Sequence, residues 1–171
     1  PRYAMSLTDT ADGGHTLYVR LSDGQGRSEV VSRNFLLDLT GPAAPGSPAI
    51  EGGELGDGQV TFSWTASVDP DPASGVAFYR YEVLSATDAE VYLSGLVDEG
   101  TSVSLTCAVG QESRCRVRAY DAAGNASEWA ETDAHAVNAP PEVLQIGFAP
   151  ENPGTLATVT AVVTGSDHEG D

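Results

Sequence analysis

Lysine is absent from this 171-residue chain, and all eight basic residues are arginine. A Lys–Asn or Lys–Asp isopeptide crosslink therefore cannot form within it. Positive charge is scarce altogether: 25 acidic residues against eight basic ones give a formal charge of −17. That balance disfavours nucleic acid and anionic membrane as partners, since both require a basic face. It favours solubility and draws cations as counterions. Low lysine with high acid suits a saline habitat or a GC-rich genome alike. No apolar run reaches the roughly 18 residues needed to span a bilayer, so no membrane insertion is expected in this segment. There is no H-E-x-x-H and no Gly-rich phosphate loop. The three histidines, His15, His135 and His168, fall in three separate segments, none beside a Ser or Cys in a recognisable motif. Catalysis is not expected, because it needs acid, base or nucleophile groups gathered in a cleft. His15 follows Gly-Gly at a strand start and is expected at the surface. The chain starts at Pro1, with neither a start methionine nor a signal peptide, and is expected to be a window of a longer protein.

What the sequence does contain is alternation. From Thr101 to Asn125, Val103, Leu105 and Cys107 share one parity with Ser102, Ser104 and Thr106 between them. After a short connection through Gly110, Cys115, Val117 and Ala119 share a parity, with Arg114, Arg116, Arg118 and Tyr120 between. A period of two denotes half-buried β-strands. Asp121-Ala-Ala-Gly-Asn closes the second strand with a turn, in which Gly124 supplies positive φ and Asp121 bonds the turn amides.

The same pattern runs along the chain. Residues 1–41 read as three strands (Tyr3 to Leu7, His15 to Leu21, Glu29 to Leu39) with turn clusters between them. Three strands rarely hold a sandwich core alone, so they are expected to be the last strands of an immunoglobulin-like domain. Thr40 to Pro48 carries three prolines and is expected to be a stiff linker. Residues 42–138 are expected to form the one complete unit. Its expected strands are Ala49–Glu51, Gln59–Ala66, Val76–Ser85, Glu90–Val97, the two cysteine-bearing strands, and Ser127–Val137. Inward positions are Val60, Phe62 and Trp64 on one strand and Tyr79, Tyr81 and Val83 on another, with Phe78, Arg80 and Glu82 outward. Short strands with regular turns predict an all-β sandwich. After Ala139-Pro-Pro, residues 139–171 read as two strands, Glu142–Phe148 and Leu156–Thr164, opening a further domain. The fold class expected is thus all-β, tandem β-sandwich domains with the two end domains incomplete.

The motifs VTFSW (60–64), YEV (81–83) and CRVRAYDAAGN (115–125) together resemble a fibronectin type III domain over residues 42–138. The family carries an inward tryptophan on its second strand, a Tyr-x-Val step on its third, and an alternating sixth strand closed by Asp-x-x-Gly-Asn. One departure stands out. Where the family places a leucine and a tyrosine that pin a corner, this chain has Cys107 and Cys115. The resemblance implies that a disulfide takes over that corner. The end pieces resemble immunoglobulin-like or polycystic-kidney-disease-type repeats.

Candidate sites follow. Two cysteines of matching parity suggest a disulfide and an oxidising compartment, and closing so short a loop adds roughly 2–3 kcal/mol in the chain-entropy account. The alternative is a pair of buried thiols acting as small apolar residues. No other cofactor is expected, calcium excepted: Asp69 and Asp71 flank Pro70 in a rigid loop, and Asp167, Glu169 and Asp171 cluster at the chain end. Calcium wants six to eight oxygens, which a neighbouring domain would help supply; the alternative is a solvated acidic loop. Arg80, Arg114, Arg116 and Arg118 form a basic stripe suited to an acidic glycan or an acidic neighbouring domain; pairing with residues such as Glu82 is favoured over that. Tyr18, Tyr92 and Trp129 are candidate sugar-stacking aromatics. Asn125-Ala-Ser127 is a glycosylation sequon and also an ordinary turn.

The expected role is a structural or adhesive segment of a large extracellular or cell-surface protein, acting as a spacer without catalysis. Its expected partners are neighbouring domains of the same or like chains, glycans or other surface proteins. The alternatives are an accessory spacer or carbohydrate-binding module of a secreted hydrolase, and a strand-exchanging filament subunit.

Overall fold

The computed structural model describes residues 10–53, 57–70, 74–149 and 160–166. The expected strand at Tyr3–Leu7 lies outside them, as do residues 156–159 of the expected last strand. The described residues are all-β.

A first hairpin pairs β1 (Gly13–Val19) antiparallel with β2 (Val31–Leu37), joined through a turn bridged at Ser22 and Arg27. Next come β3 (Gly46–Gly52), β4 (Gln59–Thr65), β5 (Val76–Ser85), β6 (Val91–Val97), β7 (Ser102–Thr106), β8 (Glu112–Asp121) and two short strands, β9 (Ala130–Glu131) and β10 (His135–Ala136). They build two sheets. One has the order β3-β4-β7; the other runs β10-β8-β5-β6, with β9 also on β8. The chain changes sheet after β4, after β6 and after β7, which is the Greek-key habit of a β-sandwich. β7 and β8, adjacent in sequence, are therefore not a hairpin: β7 pairs β4 and β8 pairs β5. A last hairpin, β11 (Glu142–Ala149) with β12 (Thr160–Ser166), follows.

The sandwich core forms because alternation places one parity of each strand inward. Val60, Phe62 and Trp64 from β4, Leu105 from β7, Tyr79 and Val83 from β5, and Cys115, Val117 and Ala119 from β8 meet in one cluster, with Cys107 and Val137. Phe62, Val83 and Val117 are wholly buried. Phe62, Trp64 and Tyr79 stack in a tilted series at 5.1 and 5.4 Å.

The last expected strand, Ser127–Val137, is broken. The Thr132 hydroxyl accepts the Cys115 amide at 3.1 Å while the Thr132 amide donates to the Cys115 carbonyl. A side chain thus substitutes for a backbone acceptor and splits the ladder into β9 and β10.

The proline-rich linker is docked onto the sandwich. The Ala43 amide donates to the Val68 carbonyl at 2.9 Å, and Gly46 already pairs with Thr65. Gly41 has no room for a side chain: a Cβ there would meet the Ala126 carbonyl oxygen at 2.6 Å. The Asn125 side-chain amide donates to the Asp38 carbonyl at 3.1 Å, and the Ser74 amide to Asp38 Oδ2 at 2.8 Å. The strand entering the sandwich is fastened to its loops rather than tethered to it.

Candidate functional site

Three groups of chemistry-bearing residues are assembled by this fold. The first lies on the outer face of the β8–β5 sheet. The register sets Arg80 opposite Arg118, Glu82 opposite Arg116 and Leu84 opposite Arg114, so the four arginines do lie together. Glu82 sits among them at 5% exposure, although its parity is outward. Arg116 closes over it through Nε and Nη2 at 2.8 and 2.6 Å, and Arg80 adds a contact at 2.7 Å. Burial raises the Glu82 carboxyl's affinity for a proton, but the Arg116 and Arg80 charges and hydrogen bonds outweigh it and hold the group below its ordinary range. Arg114 pairs with Glu131 at 3.0 Å. The Arg116 and Arg118 guanidinium groups lie 4.6 and 4.5 Å from the Trp129 ring centre, and Arg118 also covers Tyr120, which stacks on Phe78 at 4.8 Å. Trp129 therefore carries two guanidinium groups against its ring. Tyr18 is exposed, while the Tyr92 hydroxyl is held by Ser113 at 2.6 Å.

The second group is the cysteine pair. Both sulfurs are inside the core, as parity requires, but as free thiols; the expected Cys107–Cys115 bond is not formed. Each fills its place as a small apolar residue. Burial pushes Cys107 up and Cys115 up to about 12, and it pushes Tyr92 up to about 12 as well.

The third group stands where the incoming strand meets the sandwich. Asp38 follows β2, Asp69 lies in the loop after β4, and Asp121 ends β8. Carboxylate oxygens of all three lie within 4.8 Å of one another. Each is fixed by amides. Asp38 accepts from Thr40 at 3.2 Å and from Ser74. Asp69 Oδ2 accepts from Gly75 at 2.7 Å. Asp121 Oδ1 accepts from Gly124 and Asn125 at 2.6 and 2.7 Å, and Oδ2 from the Asn125 side chain at 2.8 Å. Gly124 takes φ +99° in that turn. Hydrogen bonds from Ser74 hold the Asp38 carboxyl below its ordinary value, against the opposing effect of burial. Asp69 thus has company, though from Asp38 and Asp121. Asp71, Asp167, Glu169 and Asp171 lie outside the described residues. The sequon residue Asn125 spends its side-chain amide on Asp38 and Asp121.

The histidines are not brought together. His15 is half-buried, with its ring 5.6 Å from Phe35 and Nε2 2.7 Å from the Ala11 carbonyl, so it is less exposed than expected. His135 Nε2 is 2.8 Å from the Gly52 carbonyl. His168 lies outside the described residues. Among the described residues no helix is long and apolar enough to cross a membrane.

No family model matches the chain, and no curated protein matches it significantly. Solved structures do. One is "FN3tt mut", 13% identical, with 57% of this chain and 98% of that one covered and a TM-score of 0.46. Another is the chicken CNTN1 FN1-FN3 domains, 14% identical, with 78% of this chain but only 46% of that one covered, TM-score 0.49. A third is described as a myokine, 19% identical, covering 54% and 97%, TM-score 0.39. At these values the likeness adds nothing to the sheet order, and the sandwich rests on that order.

Proposed function

We propose that the chain is a segment of tandem β-sandwich modules, the central one fibronectin type III-like, serving as a spacer or adhesive strut of a larger extracellular or cell-surface protein and carrying no chemistry of its own. The observation that carries this is the joint. Residues 38–43 hydrogen-bond straight onto the loops of the central sandwich, and Gly41 lies against its backbone. A joint built that way transmits force and direction from one module to the next, as a spacer must. The core supports the same reading, since its interior is filled by side chains. Partners are then the adjoining modules, which cover the apolar faces of β1–β2 and β11–β12.

Small-angle scattering on the chain tests it. A fixed, extended arrangement of the segments is expected. A profile that requires the first hairpin to reorient freely about residues 38–43 would sink the proposal.

A further inference from the structure

We infer that Asp38, Asp69 and Asp121 hold a divalent cation, calcium by the chemistry of their donors, at the joint between the incoming strand and the central sandwich. The three oxygens span up to 4.8 Å, about twice the 2.3–2.6 Å bond that calcium makes to oxygen, so a single ion fits among them. An independent observation points the same way: Asp69 Oδ1 is sealed from solvent and has no hydrogen-bond partner. Asp38 and Asp121 are themselves 7% and 2% exposed, while Asp69 is half-buried with that one oxygen sealed. Buried charges are paired with an opposite charge or ligate a metal, and no salt bridge among the described residues reaches this cluster: all three lie on the arginine face. Lysine, the usual small counter-charge, is missing from the sequence.

The donors are also pre-organised. Every one of the three carboxylates is already oriented by backbone amides, the kind of supporting shell that metal ligands require. Asp121 Oδ1 is taken up by two amides, but lone pairs remain on Asp121 Oδ2, on Asp38 Oδ1 and on Asp69 Oδ1 for an ion. Water or backbone carbonyls complete the six to eight oxygens that calcium takes. Because Asp38 comes from the incoming strand and the other two from loops of the sandwich, the ion ties both parts at once.

Binding itself does not depend on the spacer proposal; its consequence, a stiffened joint, rests on it. The whole 171-residue chain, stripped with EDTA, is titrated with calcium chloride by calorimetry and melted with and without calcium, with magnesium chloride run separately. One calcium per chain is expected, with melting raised by roughly 10 °C at calcium about 100-fold above its dissociation constant. Asp69→Asn, which keeps an acceptor for the Gly75 amide, should weaken binding roughly 10- to 100-fold and cut the shift to about half or less at the same calcium concentration; Asp38→Asn should do the same. No heat and no shift in the wild-type chain at ~10 mM calcium overturns the site, whatever the variants do. So does unchanged binding in folded Asp69→Asn and Asp38→Asn. Should either variant not fold, the wild-type titration and the other variant decide. Scattering from the same samples separates the two proposals: a fixed, extended chain that takes no calcium overturns the ion and leaves the spacer standing.

Discussion

The central sandwich and the two flanking hairpins are written in the same alternating pattern, yet they differ in what covers them. Phe62, Val83, Cys115 and Val117 are fully buried between two sheets. On β1–β2, Leu17 is 39% and Val31 70% exposed; on β11–β12, Ile146 is 65% and Val163 58% exposed. Alternation thus sets which side chains share a face, while burial depends on a second sheet arriving to cover that face. A two-stranded sheet with an open apolar face draws little from the hydrophobic effect and is marginal alone. The comparison also separates the two ends: the first hairpin is fastened to the sandwich through Asp38, Gly41 and Asn125.

The largest contrast should come from truncating one apolar side chain in each region. Phe62→Ala removes a buried ring between Trp64 and β7 and should cost about 3–5 kcal/mol in urea unfolding. Ile146→Ala, at a site already wet, should stay within about 0.5 kcal/mol. Equal losses at the two sites would mean that β11–β12 is covered after all.

A second contrast is alkaline. In the folded chain Cys115 is raised from its ordinary value of 9.0 to about 12, and Tyr92 from 10.0 to about 12, in both cases chiefly by burial. A raised acid binds its proton more tightly when folded, so its stabilisation is complete below the unfolded value and is lost as pH climbs towards the folded one. Stability should therefore fall between about pH 9 and 12, and Cys115→Ala should flatten part of that decline. The same burial predicts two thiols per chain that react with a thiol reagent only after denaturation. A reagent that finds no thiol in the denatured chain would show the cysteines joined, as the sequence suggested.

How much of this was legible beforehand follows from range. The parity of β4, β5 and β8, and so the core, is local information, and the residues named inward from sequence are the ones that meet. The Asp121 turn with Gly124 is equally local. Three features needed partners distant in sequence. The change of sheet between β7 and β8 is invisible to periodicity, because both strands alternate alike. The break between β9 and β10 depends on the Thr132 hydroxyl reaching Cys115. The aspartate cluster gathers residues from three segments. Asp69 stood out through its rigid proline loop, but Asp38 read as the end of the strand Glu29–Leu39 and Asp121 as a turn former. A hint was present: both neighbour turn signals, which place them at the ends of strands where loops converge.

Glu82 offers the next smaller effect and tests a difference within one face. Its parity matches exposed Arg80, yet it is buried because two arginines close over it. Its carboxyl titrates below the ordinary 4.5, so its contribution is present above that value and is lost as pH falls through the lowered one. Glu82→Gln should cost about 1.5–3 kcal/mol near neutral pH, the range for hydrogen bonds to charged groups. It should also flatten the acid decline in stability. The partners are partly exposed and water screens them once Glu82 is gone, which keeps the loss at that size.

The smallest effect expected is also the sharpest check on the joint. The Arg114 and Glu131 side chains are each more than a third exposed, at 34% and 38%, and pairs of that kind contribute at most about 1 kcal/mol. Arg114→Ala should therefore change chain stability by well under that. Gly41→Ala alters no charge and buries no new polar group, but its methyl would press on the Ala126 carbonyl oxygen. Backbone cannot yield there as a side-chain tip would, so the docked segment must move away. Global unfolding of the sandwich should change little, because Gly41 lies outside its core, while amide exchange at Ser74 and Ala43 should accelerate as the joint loosens. Slow exchange at both amides in Gly41→Ala would show that the first hairpin is held by something other than this close approach.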